Sequence, residues 1–143
     1  MIKYSEEANM LTFKKDKTVF SVDIEKTENY YKTHSLCGCK DCRNYYAQTK
    51  NKFSELDSFL SEFGVDISKP DEALSVEADG YIDYLTVYYS VCGKIESRTE
   101  YKTELFDTMP LFITIGNEYA PNEQDGDYFM ISVMGIKLPF VLE

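Results

Sequence analysis

The period of the apolar positions changes along the chain. In residues 19–24, Phe20, Val22 and Ile24 alternate with Ser21 and Asp23, the two-residue period of a half-buried strand. A shorter strand at residues 10–13 precedes it across the polar stretch 14–18, so the two predict a hairpin. Residues 25–33 are polar apart from Tyr30 and Tyr31 and lead into His34-Ser35-Leu36-Cys37-Gly38-Cys39-Lys40-Asp41-Cys42. From about residue 39 to 63 the period becomes helical. Tyr46, Thr49, Phe53, Leu56, Leu60 and Phe63 follow one another by steps of three and four in strict alternation, which predicts one long amphipathic helix. Its opposite face carries Lys50, Lys52, Glu55, Asp57 and Ser61. Gly64 supplies the expected left-handed cap, and Pro70 prevents continuation.

Beyond Pro70 the pattern returns to strands. Residues 74–77 form a short one. Residues 81–91 form a long one, with Leu85, Val87, Tyr89 and Val91 on one face and Tyr84, Thr86, Tyr88 and Cys92 on the other. Apolar residues on both faces mark it as central to a sheet. Strands at 111–115 and 128–136 follow, separated by Gly116-Asn117 and the loop 121–126. The charged stretch 94–108 reads as a strand extension or a short helix. A hairpin, one helix and a run of strands without intervening helices predict an α+β fold. Its form is a mostly antiparallel sheet of about five to six strands with one long amphipathic helix packed on one face.

The 143 residues fit a single domain spanning 1–143. A hydrophobic content of 43% with 15% aromatics excludes a disordered chain, and no stretch approaches the roughly 20 apolar residues of a membrane helix. The amino-terminal residues show no basic start followed by an apolar run and a small-residue cleavage site, so a cytoplasmic location is expected. There, four cysteines are expected as thiols or metal ligands rather than disulfides. A net charge of -10 repels polyanions, which argues against nucleic acid and anionic membranes as partners. It suits either a solvated surface or a face that docks a basic protein.

The chemistry-bearing feature is Cys37-Gly38-Cys39-Lys40-Asp41-Cys42, with His34 three residues before the first thiol. Zinc takes four tetrahedral ligands from thiolates and imidazoles, so Cys37, Cys39, Cys42 and His34 form one candidate set, with Cys92 as a long-range substitute for His34. Cys92 should point to the sheet face opposite Leu85 and Val87, away from the helix, which counts against it. Packing offers a second explanation, because the helical stripe extends back from Tyr46 to Cys42 and Cys39, and free cysteine is among the most buried residue types. The stripe leaves Cys37 unexplained. Redox chemistry is a third reading: a helix N-terminus and the neighbouring Arg43 favour thiolates, and Cys39 and Cys42 form a Cys-x-x-Cys pair. Met109-Pro110 before a strand is similar to an element of thioredoxin-like domains, whose parallel β-α-β order is missing here. A lone His34 has no evident catalytic partner, and no glycine-rich phosphate loop or nucleophile elbow occurs. The chain therefore reads more readily as a non-enzyme. Its tyrosines suit a core without tryptophan, or a binding surface.

Three passages resemble a family of small uncharacterised bacterial proteins: Cys37-Gly-Cys-Lys-Asp-Cys-Arg-Asn-Tyr45, Phe63-Gly-Val-Asp-Ile-Ser-Lys-Pro70, and Leu138-Pro-Phe-Val-Leu142, where Phe140 stands for the family's tryptophan. The resemblance implies a compact bacterial α+β domain and transfers no catalytic residue. The expectation is a non-enzymatic intracellular domain with a structural cysteine cluster, zinc being the cofactor it would take. The alternatives are a thiol redox protein using Cys39 and Cys42, and an acidic protein-binding module of inhibitor or immunity type.

Overall fold

The computed structural model describes residues 3–5, 10–49, 51–97, 100–117, 122–124 and 126–141. Lys50 of the expected helix face, the loop position Pro121, Leu142 of the closing segment and residues 1, 2 and 6–9 lie outside them.

The amino-terminal hairpin forms as its alternation requires. β2 (Met10–Lys15) and β3 (Thr18–Val22) pair antiparallel with Phe13 opposite Phe20, and β1 (Lys3–Ser5) adds to the other edge of β2. The second half of the chain gives β4 (Glu72–Ala78), β5 (Tyr81–Ile95), β6 (Tyr101–Phe106), β7 (Pro110–Gly116), β8 (Tyr128–Met134) and β9 (Ile136–Pro139). They join one nine-stranded sheet in the order β1-β2-β3-β5-β8-β7-β6, with β4 and β9 paired to β5. Every pairing is antiparallel, so the thioredoxin-like order is absent among the described residues. The α+β class and the antiparallel sheet hold. The expected strand count is too low, because β1 and β9 are three and four residues long and β6 lies in the charged stretch.

The single long helix is corrected to two. α2 (Lys40–Gln48) ends at Thr49, the chain turns through Asn51 and Lys52, and α3 (Ser54–Ser61) starts after Phe53. Phe53 has no side chain able to cap the new helix, and the carboxylate of Asp107 takes over by accepting from Leu56 N–H at 2.9 Å. The apolar stripe survives the break: Thr49, Phe53, Leu56, Leu60 and Phe63 are all buried. Two short helices joined by a turn carry the same stripe while each follows its own part of a twisted sheet. Gly64 sits at φ 82° as the expected cap, and a Cβ there would lie 2.9 Å from the carbonyl oxygen of Ile24. Phe63 in front of it meets Phe13, Phe20, Phe59 and Phe129 at ring-centroid distances of 5.1 to 6.2 Å, forming the aromatic centre of the core.

The two faces of β5 need a second correction. Val87, Tyr89 and Val91 face the core as alternation demands, whereas Leu85 is 49% exposed. Leu74 lies opposite Thr86 and Ser75 opposite Tyr84, so Leu85 is an extra residue bulged out of the ladder with β4. Before the bulge the buried set shifts by one position to Ile82 and Tyr84.

The third difference is a helix in the segment read as polar. α1 (Ile24–Thr33) begins at Asp23, whose carboxylate accepts from Lys26 N–H at 2.9 Å, and buries only Thr27 and Tyr31. It occupies a gap in the sheet. Along one edge of β5 the pairing with β4 stops at Tyr88 and the pairing with β3 starts at Gly93. Between them Asp71 N–H donates to Tyr88 O at 2.9 Å, and Asp71 Oδ2 accepts from Ser90 N–H at 2.8 Å. Tyr31 OH donates to Ser90 O at 2.7 Å, Thr27 Oγ1 accepts from Cys92 N–H at 3.1 Å, and Asp23 N–H donates to Cys92 O at 2.9 Å. Side chains and caps thus replace the missing strand. Thr27→Val keeps the shape and orphans the Cys92 N–H, so it is expected to cost about 1–3 kcal/mol of stability in urea unfolding. Thr27→Ser should recover most of that loss, and a neutral valine variant would show that α1 does not serve this edge.

Candidate metal centre

α1 delivers the chain to the cysteines and α2 holds them. After Thr33 the His34 N–H bonds back to Tyr30 O at 2.9 Å, and residues 35–39 run without regular structure to the start of α2. Cys39 is the N-cap: its Sγ accepts from Cys42 N–H at 3.4 Å, and its carbonyl accepts from Arg43 N–H at 2.9 Å. One step earlier Cys37 Sγ accepts from Cys39 N–H at 3.4 Å. Arg43 Nε donates to Gly38 O at 3.2 Å and Tyr46 OH to Cys37 O at 2.9 Å, so two α2 side chains tie down the loop. α2 is itself fastened to the sheet, where Ser75 Oγ donates to Asp41 Oδ2 at 2.7 Å and Tyr84 OH donates to Asp41 O.

This folding brings Cys37, Cys39 and Cys42 together with each Sγ within 4.8 Å of the other two, close enough to hold a metal ion. All three are free thiols. Packing accounts for one of them: Cys42 is 6% exposed beneath the helix, while Cys37 and Cys39 face solvent. Burial raises the Cys42 thiol pKa strongly, and the neighbouring sulfurs add to the effect. At Cys39 partial burial pushes upward too, but the Cys42 N–H and the thiols of Cys42 and Cys37 donate to its sulfur and outweigh it, so this thiol lies below its ordinary value. Between Cys39 and Cys42 the thiolate is therefore favoured at the N-cap.

The other expected ligands are not brought in. His34 lies outside the group, with its ring stacked on Tyr30 at 4.6 Å and Nδ1 3.1 Å from Tyr30 O. It belongs to the end of α1, which fixes it before the cysteine loop begins. Cys92 is buried where its backbone meets Thr27 of α1 and the cap residue Asp23, outside the sulfur group. Among the described residues no further histidine, cysteine or carboxylate joins the trio.

Sequence reasoning missed Asn44. This fully buried side chain donates from Nδ2 to Pro139 O at 3.0 Å and accepts at Oδ1 from Val141 N–H at 2.9 Å, with Gln48 Nε2 donating to the same Pro139 carbonyl at 2.7 Å. Lys40 lies over the Phe140 ring at 5.4 Å. The helix-opening and closing segments, quoted as separate motifs, are thus in contact. The available signal was an asparagine inside a helix, one residue before the buried Tyr45, where an unpaired amide would be costly.

A cleft of about 570 Å³ lies elsewhere, over the junction of β3 and β5, lined by Lys26, Lys94, Glu96 and Asp127 around Cys92. Its charges are of mixed sign, and Lys94 and Asp127 pair at 3.4 Å. Of the tyrosines, Tyr31, Tyr45, Tyr84 and Tyr89 are core, and the exposed aromatic rings include Tyr81, Phe106, Phe112 and Phe140. Among the described residues no helix is long and apolar enough to cross a membrane. Comparison with protein-family models, curated proteins and solved structures finds no match.

Asn44→Ala is expected to cost about 1–3 kcal/mol by leaving the Val141 N–H unpaired. Hydrogen exchange at Val141 should accelerate at the same time. Gln48→Ala, at a partly exposed site, should cost less, and equal losses would refute the clamp.

Proposed function

We propose that Cys37, Cys39 and Cys42 form a thiolate metal centre and that zinc is its ion. The observation carrying this reading is the mutual approach of three sulfurs, two of them solvent-facing and therefore not placed there by packing. Zinc–sulfur bonds of about 2.3 Å in a tetrahedron separate sulfurs by about 3.8 Å, so small rotations about χ1 bring the trio onto an ion. The N–H donors to Cys37 and Cys39 stabilise sulfur as the anion a metal requires. The centre would join the connector after α1 to the start of α2. Protein purified without a nickel tag and kept reduced is expected to carry about one equivalent of zinc by elemental analysis. Cys37→Ser and Cys39→Ser should each lose most of it. Metal below a tenth of an equivalent, with none taken up on adding zinc, would remove the proposal.

One observation favours thiol redox chemistry as a second reading. An exposed Cys39 sits beside a covered Cys42, with the backbone N–H of the second cysteine donating to the sulfur of the first. With oxidised glutathione as acceptor, the pair would lose two protons and two electrons to form one disulfide, and glutathione disulfide would become two thiols. Mass spectrometry after equilibration should then find an internal Cys39–Cys42 bridge. Only mixed disulfides on Cys37 and Cys39 would end this reading.

A further inference from the structure

The sulfur trio is an incomplete ligand set. Zinc in a closed structural site has four protein ligands, whereas three protein ligands leave a position for an exchangeable donor. Here the neighbouring candidates stay outside the group: Asp41 Oδ2 is bonded to Ser75 Oγ, and His34 is stacked on Tyr30 with Nδ1 at Tyr30 O, its buried Nε2 lying away from the sulfurs without a partner among the described residues. Among the described residues nothing else enters the group. The side from which a fourth donor would approach is also defined. Cys42 lies on the covered side of the trio, and Cys37 and Cys39 are exposed, so the vacant direction points outward. Leu36, beside Cys37, is 40% exposed, and Phe140 and Val141 are exposed where Lys40 and Asn44 hold the closing segment against α2.

We propose that the metal held by Cys37, Cys39 and Cys42 keeps an open, outward-facing fourth position and that its ligand is a low-molecular-weight thiol, bound as the thiolate. This rests on the metal reading above and specifies what that site binds. Three thiolates more than neutralise a divalent ion and give it a soft coordination sphere, and that softness favours a fourth sulfur over water or carboxylate. The exposed Leu36 next to Cys37 in the chain favours a donor that arrives with an alkyl group and little hydration. On binding, the thiol proton passes to solvent, a sulfur–metal bond replaces a metal–water bond, and no covalent bond of the chain changes. Such a centre would sense or carry a small thiol rather than merely brace a loop.

Cobalt(II) reports this chemistry, because its visible bands depend on the number of bound sulfurs. The full-length reduced chain, prepared with a phosphine reductant, would be loaded with cobalt and titrated with 2-mercaptoethanol, with ethylene glycol as the oxygen analogue. The expected result is a saturable change in the visible bands with the thiol and none with the diol. X-ray absorption should show sulfur coordination rising from three to four. Leu36→Asp should weaken the thiol step several-fold while cobalt uptake is unchanged, since it places a negative charge beside the incoming anion. Cobalt bands that ignore the thiol would overturn the open position and leave the metal reading standing. A chain that takes up no cobalt at all would overturn both.

Discussion

Five backbone groups along one edge of β5 determine how the rest of the chain is arranged. β5 is fifteen residues long and outlasts the partners on that side, leaving Tyr88, Ser90 and Cys92 between the end of β4 and the start of β3. Ser90 and Cys92 are buried, so water cannot serve these groups freely, and each one left unpaired would cost about 1–3 kcal/mol. Asp71, Tyr31, Thr27 and the backbone of Asp23 satisfy them. A polar helix is therefore required where a strand would have been the simpler answer. Its position then fixes where the following connector leaves and where α2 must begin. The cysteines occupy that junction as a consequence of the edge above them.

The other half of the molecule depends on α2 lying flat against the first part of β5. Tyr45 packs on Tyr84 with ring centroids 5.0 Å apart, and its hydroxyl pairs with that of Tyr89, which in turn donates to Ile67 O at 2.6 Å. Burial holds the Tyr45 and Tyr89 hydroxyls far above their usual pKa, so they act as neutral hydrogen-bonding groups in the core. The bulge at Leu85 belongs to the same arrangement. By shifting the buried phase from odd to even positions it turns Tyr84 inward beneath α2, and the Tyr84 hydroxyl then reaches the carbonyl of Asp41 between the second and third cysteines. Together with the Ser75–Asp41 bond, that contact links sheet geometry to the sulfur site.

These relations explain which features were legible in the sequence. The hairpin, the central β5, the buried stripe and the Gly64 cap depend on near neighbours along the chain, and periodicity reports them. The break at residues 49–53 depends on Asp107, far off in sequence, capping α3 at Leu56. Strict spacing kept the face of the helix right and its continuity wrong. α1 buries only Thr27 and Tyr31, too little for a hydrophobic pattern to reveal, although Asp23 followed by Thr27, Tyr30 and Tyr31 had the form of a capped helix. The bulge was invisible because alternation along one strand carries no information about the register of its neighbour. At the candidate site, the cysteine density was plain. The placing of His34 required knowing that α1 ends there.

The contacts that hold the fold together bear on how the cysteine cluster is held. Small zinc domains commonly fold only when the ion binds, so much of the binding energy is spent on ordering the chain. Here the aromatic centre around Phe63, the edge of β5 and the Asn44 clamp need no sulfur ligand, and Arg43 and Tyr46 hold the loop from α2. Two exposed thiols at a prepared N-terminus add little to such a core. Serine or aspartate would also serve better than Cys39 as an N-cap. Because the three sulfurs already lie close together on a loop held by α2, little affinity would be lost to ordering if an ion bound there. Packing accounts for Cys42, which is buried, and leaves the exposed Cys37 and Cys39 without a packing role.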